Sequence, residues 1–331
     1  MKKTALILIA GLGSAGRRHL RNLQAHGCDR FIFFRTGSGT LPDDELPDFP
    51  AFPDIDQALS QKPDICVVAN PTALHLPVAL KAAAAGCHLL IEKPLSNTIE
   101  GLDELSREVE GKNLTTMIGC QFRFHPLLKS LREQMRERIG IPLAFHAEWG
   151  ECLGDWHPWE DYRNSYSARK DLGGGVILTL IHPLDYLYWM FGPIKRVRAF
   201  QSKIEALGTK VNDDMALISL EFRSGIKGTV HLDFVQKPPV HSLKIIGERG
   251  TADWDYHRGT LLWTDRNGAE EMQKTPDSFE RNSMFLSMTS HFLECVAAGQ
   301  QSSIPLADGI TVLEIALQAK RDAGSGKVRG D

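Results

Sequence analysis

An uncharged apolar run, Ala5 to Ala10, leads without interruption into Gly11-Leu12-Gly13-Ser14-Ala15-Gly16 and then into Arg17 to His26, whose leucines have helical spacing. A glycine triplet of this kind between a buried strand and a helix narrows the possible folds sharply. The first glycine allows a tight turn, the second lets backbone approach a pyrophosphate, and the third lets helix and strand pack closely. Free N–H groups and the positive end of the helix dipole would then face the phosphates. Gly11, Leu12, Gly13, Ser14, Ala15 and Gly16 are therefore the first candidates for a dinucleotide site. The same residues, with Met1-Lys2-Lys3 before them, also follow the charged, apolar, small-residue order of a secretory signal. The shortness of the apolar stretch and the inward spacing of Leu20 and Leu23 argue against that reading. No other run is apolar for long enough to span a bilayer.

A length of 331 residues with 42% hydrophobic content calls for two cores. The formal net charge of -3 gives no bulk attraction for nucleic acid or an acidic membrane. Arg17, Arg18 and Arg21 read as a solvated helix face. Cys28, Cys66, Cys87, Cys120, Cys152 and Cys295 show no CxxC or zinc-type pairing, a pattern suited to reduced thiols in the cytoplasm.

Up to about residue 120, strand and helix patterns alternate, as a parallel sheet covered on both faces requires. Strands are expected at Ala5–Ala10, Phe31–Phe34, Asp64–Ala69, His88–Ile91 and Thr115–Gly119, and a helix over Leu76–Ala85 ends at Gly86. Leu41–Pro53 reads as a loop. Beyond it, Pro126–Arg138 is an amphipathic helix. Strands then dominate at Lys195–Ser202, Met215–Phe222, Gly228–Phe234 and Leu243–Ile246, with helices at Gly175–Phe191, Met284–Ala298 and Ile310–Ala319. The fold class is α/β. A Rossmann domain over 1–122 precedes an α+β domain over 123–331 with a large open, mostly antiparallel sheet, and the last helix is expected to pack back on the first domain.

The end of the second strand is where an NAD site usually carries an acidic residue. Here it reads Arg35-Thr36-Gly37-Ser38. A guanidinium there favours a 2'-phosphate, with Thr36 and Ser38 as further donors, so NADP(H) is expected, with NAD(H) as the alternative. Glu92-Lys93-Pro94 follows the strand His88–Ile91 on the carboxyl edge, where ligands of such sheets bind. An ammonium at Lys93 can stabilise negative charge on a reacting oxygen. Pro94 is a candidate cis proline.

Val67-Val68-Ala69-Asn70-Pro71-Thr72, His75, Ala83 to Gly86 and Glu92-Lys93-Pro94, then Gln121 to Pro126, then Gly173-Gly174-Gly175 with His182 and Asp185, together resemble one family over nearly the whole chain. This is the glucose-fructose oxidoreductase, inositol dehydrogenase and rhizopine-catabolism (Gfo/Idh/MocA) family. The resemblance implies hydride transfer between a nicotinamide and a carbon of a sugar or cyclitol, and a homodimer or homotetramer formed through the C-terminal sheet. It implies that Lys93 is catalytic and that His182 gives or takes the proton. Asp185 either orients the imidazole or serves as a structural carboxylate. Asn70, Pro71, Thr72, His75, Glu92, Lys93 and Gln121 are carried over as cofactor contacts.

One departure stands out: many members have an acidic residue four positions before the histidine, where this chain has Leu178 with Thr179 beside it. Pro183 interrupts the helical pattern and should kink or break it. The segment Asp155 to Arg163 concentrates aromatics and charges. Trp156, His157, Tyr162 and Arg163, with Arg123 and Thr179, are candidate substrate contacts, while a packed structural loop is the competing reading. No metal is called for.

The expectation is a cytoplasmic NADP-preferring oxidoreductase of the CH–OH type acting on a sugar or sugar derivative, such as an activated or acidic sugar for surface glycans. A non-catalytic NADP-binding regulator is the first competitor. A reductase of an open-ring tetrapyrrole or aromatic diol on the same scaffold is the second.

Overall fold

The computed structural model describes residues 5–37, 46–156 and 160–325. The chain divides into two units, Met1–Gln121 with Arg281–Leu313, and Phe122–Glu280 with Glu314–Asp331. Residues 281–313, expected in the second domain apart from the last helix, thus belong to the first unit.

The first unit is built on β1 (Ile7–Ala10), α1 (Ser14–Ala25), β2 (Phe31–Phe34), β3 (Ala51–Phe52), α2 (Ile55–Leu59), β4 (Ile65–Val68), α3 (His75–Ala84), β5 (His88–Ile91), α4 (Leu102–Gly111) and β6 (Thr116–Ile118). Its six strands are all parallel, in the order β3-β2-β1-β4-β5-β6. Apart from the two-residue edge strand β3, their residues are almost wholly buried, which is why they read as continuous apolar runs and not as alternating ones. The chain reverses direction across the sheet between β1 and β4, so their carboxyl ends flank the crevice where such sheets bind ligands. Three short elements, β3, α2 and α4, escaped sequence reading. β3 lies inside the segment expected to be loop, and α4 carried no motif that marked it out.

In the second unit, α5 (Pro126–Ile139) precedes β7 (Pro142–Gly150). After a run of single 3₁₀ turns come α6 (Val176–Thr179), α7 (His182–Phe191), β8 (Ile194–Ser202), β9 (Met215–Phe222), β10 (Lys227–Asp233), β11 (Val240–Gly247), β12 (Gly250–Asp255), β13 (Thr260–Asp265) and β14 (Glu270–Lys274). These eight strands form one sheet in the order β14-β13-β12-β11-β7-β10-β9-β8. All pairings are antiparallel except β7 with β10.

α5 packs on β12 and β13, α6 on β9 and β10, and α7 on β7, which buries alternate residues of the strands. The opposite face keeps Phe200 and its cross-strand neighbour Leu217 exposed, at 71% and 47%. Strands β7 and β12 to β14 were not delimited from sequence. The expected helix Gly175–Phe191 is two helices, broken at Leu180-Ile181, with Pro183 in the first turn of α7. There its missing N–H costs no helical bond.

The chain ends with α8 (Arg281–Ala298) and α9 (Leu306–Ser325). Within the first unit, Asn282 and Asn22 exchange amide hydrogen bonds, and Ile118 N–H donates to Ile304 O at 2.9 Å. Among the described residues no helix is long and apolar enough to cross a membrane. All six cysteines are free thiols.

Candidate active site

The glycine turn follows β1 at the carboxyl edge of the parallel sheet. Gly16 packs so closely under it that a Cβ there would stand 1.9 Å from Gly11 O, and Gly11 itself holds φ +95°. Both positions accept only glycine. Gly13 behaves differently, since a Cβ would meet nothing within 4 Å. As N-cap of α1 it offers no side chain to the first-turn N–H groups, and that turn carries no acidic residue. Beside the turn, Asn70 Oδ1 is buried with no hydrogen-bond partner among the described residues, while its Nδ2 donates to Leu74 O at 3.2 Å. Open space, uncapped donors, an unopposed dipole and a waiting acceptor fit a dinucleotide's phosphates and polar groups. Arg35 follows β2 directly, partly exposed, with its N–H donating to Phe52 O at 3.0 Å. Thr36 is exposed; Ser38 lies outside the described residues.

Lys93 leaves the carboxyl end of β5 through a cis Lys93–Pro94 bond and is partly exposed. Behind it, Glu92 is only 7% exposed. Its Oε1 lies 2.8 Å from His19 Nε2 and 3.4 Å from an Arg18 nitrogen, and its Oε2 accepts the Lys93 N–H. Burial would raise the Glu92 pKa, but the hydrogen bond and charge of His19, with Arg18 and Lys93, hold it well below the usual carboxylate range.

Glu92, expected from sequence as a cofactor contact, is thus buried and engaged with His19, Arg18 and the Lys93 N–H. The expected solvated arginine face holds for Arg21, which is exposed, and is corrected for the other two. Arg17 is buried, its Nε donating to Leu12 O, and Arg18 lies over the Phe285 ring at 3.8 Å. His75, expected at the cofactor, is 2% exposed and lies between two backbone carbonyls, and Thr72 and Gln121 are buried as well. Pro71 is partly exposed.

In the second unit, His182 opens α7 at 1% exposure. Its ring stacks on Trp149 of β7, with centroids 5.4 Å apart, and meets Phe122 edge-on at 5.0 Å. His241 of β11, paired with Trp149 across the sheet, lies flat on the same indole at 4.3 Å and 3°. Tyr186, one turn beyond His182, places its hydroxyl 3.4 Å from His241 Nε2, and burial pushes its phenol far up, so it stays neutral. Sequence reading missed Trp149 and His241, because only strand register brings them to His182. It also missed His19, which lay among arginines.

Asp185 and Arg123 form a buried pair: Nε is 3.1 Å from both carboxylate oxygens and Nη2 is 2.7 Å from Oδ1. The carboxylate expected to orient the imidazole and the guanidinium expected to bind substrate are thus engaged with each other, at 1% and 5% exposure. Leu178 and Thr179 on α6 are both buried. Of the aromatic loop, Tyr162 donates its hydroxyl to Leu207 O at 2.8 Å, and Trp156 packs edge-on against Phe234. Arg163 is exposed near the Tyr162 ring, and His157 lies outside the described residues. No group of three metal-ligating side chains occurs among the described residues.

Residues 5–120 match the family model described as an oxidoreductase family with an NAD-binding Rossmann fold, and residues 129–253 match the GFO/IDH/MocA C-terminal domain. Levoglucosan dehydrogenase of Pseudarthrobacter phenanthrenivorans is 28% identical over 200 residues, 53% of this chain and 50% of that protein. An uncharacterised Synechocystis oxidoreductase, 29% identical over 199 residues, is likewise matched over only 52% of its length. The chain therefore spans about half the length of these relatives. UDP-N-acetylglucosamine 3-dehydrogenase of Acidithiobacillus ferrooxidans is 28% identical over 82% of both chains. In fold, the chain resembles a levoglucosan dehydrogenase solved with NADH and levoglucosan, with a TM-score of 0.85 over 97% of each chain at 20% identity. Matched in both its NAD-binding and its C-terminal part, the chain belongs to the Gfo/Idh/MocA oxidoreductase family.

Proposed function

We propose that the protein is a nicotinamide-dependent oxidoreductase that moves a hydride between the cofactor and a hydroxyl-bearing carbon of a sugar or sugar derivative. The observation that carries this reading lies within the first unit. The uncapped N-terminus of α1 and the Lys93 bend stand at the carboxyl ends of β1 and β5, on one edge of one parallel sheet. Bound dinucleotide supplies the hydride acceptor for oxidation or the donor for reduction. During oxidation the Lys93 ammonium stabilises the alkoxide as it develops, and the His182 imidazole takes the hydroxyl proton; reduction reverses both roles. Leu178 is apolar and buried and Asp185 is paired with Arg123, which supports giving the proton to His182.

NADP(H) is the preferred cofactor in this reading. Arg35 stands where an acidic residue would repel a 2'-phosphate, and it offers a charge-assisted partner instead. Its test is a fluorescence titration with NADPH and NADH, repeated with Arg35→Asp. Tighter NADPH binding that reverses in the variant is expected, and equal binding unaffected by the change removes Arg35 from the site.

The substrate class is tested with a panel of levoglucosan, myo-inositol, UDP-N-acetylglucosamine and an aromatic dihydrodiol, the last standing for the non-sugar alternative. Turnover of UDP-N-acetylglucosamine would support an activated sugar. Lys93→Met and His182→Ala should each lose about 10²- to 10⁴-fold in turnover. Near-normal rates in both would sink the assignment, and dinucleotide binding without turnover of any panel member would favour a regulator. The exposed Phe200 and Leu217 on the open sheet support self-association through that face, which sedimentation of Phe200→Glu would test.

A further inference from the structure

β4 and β5 run side by side, and their chains part at the carboxyl edge. One goes on through Asn70 beside the glycine turn, the other through Lys93-Pro94. His75, the first residue of α3, stands between them. Its Nε2 is 2.7 Å from Asn70 O and its Nδ1 is 2.8 Å from Pro94 O. Asn70 is in turn the wall on which the glycine turn rests, for a Cβ at Gly11 would stand 2.7 Å from Asn70 N. One imidazole thus spans the gap between the backbone under the dinucleotide turn and the backbone carrying Lys93.

We propose that His75 is a positioning residue for Lys93: it clasps the Lys93–Pro94 bend to Asn70 and so holds the lysine in fixed register with the glycine turn. The proposal rests on the reading of Lys93 as catalytic and adds a residue that touches neither substrate nor cofactor.

A carbonyl oxygen only accepts, so a neutral ring makes one donated hydrogen bond and an imidazolium makes both. Burial holds the His75 pKa below its ordinary value, against the upward pull of the Pro94 and Asn70 carbonyls and the Glu92 carboxylate and with Lys93 adding to the fall, so the neutral ring donates to one carbonyl and lies against the other. One link is therefore present in either state. A displacement of about 1 Å at a reacting group can cost about 10²-fold in rate, so a single lost tether at this point is enough to matter.

The full chain, reductively methylated with ¹³C-formaldehyde, gives a dimethyl-lysine signal for Lys93, assigned by its loss in Lys93→Arg. A single narrow signal is expected in the wild-type protein. His75→Ala should broaden or split it and leave the affinity of the preferred dinucleotide within about threefold. Turnover on the sugar chosen by the panel should fall about 10- to 100-fold. Imidazole added at tens of millimolar should fill the space left and narrow the signal again. His75→Gln, which keeps a donor for one carbonyl, should fall between the two and serves where the alanine variant does not fold. A Lys93 signal unchanged in both variants, or untouched by imidazole, overturns the proposal. Failure of the wild-type protein to bind either NADH or NADPH would instead defeat the dinucleotide reading, and the Lys93 signal, read without nucleotide or substrate, separates the two failures.

Discussion

The His19 imidazole and the Glu92 carboxylate meet at 2.8 Å, with the histidine side chain fully buried and the glutamate's 9% exposed. α1 is thereby tied directly to the residue that precedes Lys93. Removing the imidazole leaves the buried carboxylate with only the more distant Arg18 and the Lys93 N–H, so His19→Leu should cost about 3 kcal/mol. His19→Leu with Glu92→Leu should recover much of that loss. Urea unfolding of the single and double variants checks it, and additive losses would show that the two groups do not act as a pair. Because the Glu92 pKa is depressed, its stabilisation is complete above the ordinary value of 4.5 and is lost as pH falls below it.

Gly13→Ala and Gly16→Ala should part company. The first meets open space, so the melting temperature should stay near that of the wild type while dinucleotide affinity falls at least about tenfold, a loss of about 1.4 kcal/mol. The second drives a methyl into Gly11 O and should lower the melting temperature as well. Equal stability of the two variants would contradict the packing described for the turn.

His125 gives the second unit an acid sensitivity. It is fully buried, both ring nitrogens lack partners among the described residues, and burial lowers its pKa to about 4. The unfolded chain takes up this proton near pH 6.5 and the native chain does not, so stability is complete above 6.5 and is lost as pH falls toward about 4. The loss should total about 3 kcal/mol. His125→Phe should flatten that part of the stability-versus-pH curve, and an unchanged slope would assign the sensitivity elsewhere.

Arg123→Lys should not preserve the pair with Asp185. A lysine cannot reproduce the three short nitrogen–oxygen contacts of the guanidinium, and the carboxylate is 1% exposed. A loss of about 3 kcal/mol is expected. Arg123→Met with Asp185→Leu should be more stable than Arg123→Lys, which differential scanning calorimetry would show.

What the sequence disclosed follows from how local each signal is. Ala5 to Gly16 carries its fold in twelve adjacent residues, and the strands of the parallel sheet are legible because both their faces are buried. Arg123 and Asp185 stand 62 positions apart, so nothing in the text of the chain tells a substrate-binding arginine from an internally paired one. Trp149 and His241 meet only through the register of β7 with β11. His75 and Glu92 were legible as motif residues, but their partners were not, because a motif marks the neighbourhood of a cofactor without saying which side chains turn inward to Pro94, Asn70 or His19. The helix before His182 breaks earlier than Pro183 implied, since a proline fits the first turn of a new helix better than the middle of an old one.

The parallel pairing of β7 with β10 sets an order of assembly. β8 to β10 form one meander of near neighbours and β11 to β14 another, and β7, which precedes both in the chain, lies between them in the sheet. Each meander can close from local contacts. β7 must wait about 80 to 100 residues for partners on either side, and contacts of such separation are slow to form. During synthesis it is the first strand of its sheet to leave the ribosome and has both edges bare until the two meanders reach it. The strand that carries Trp149 to His182 is therefore the keystone of its sheet, and slow refolding of this unit should track changes in β7 more closely than changes in either meander.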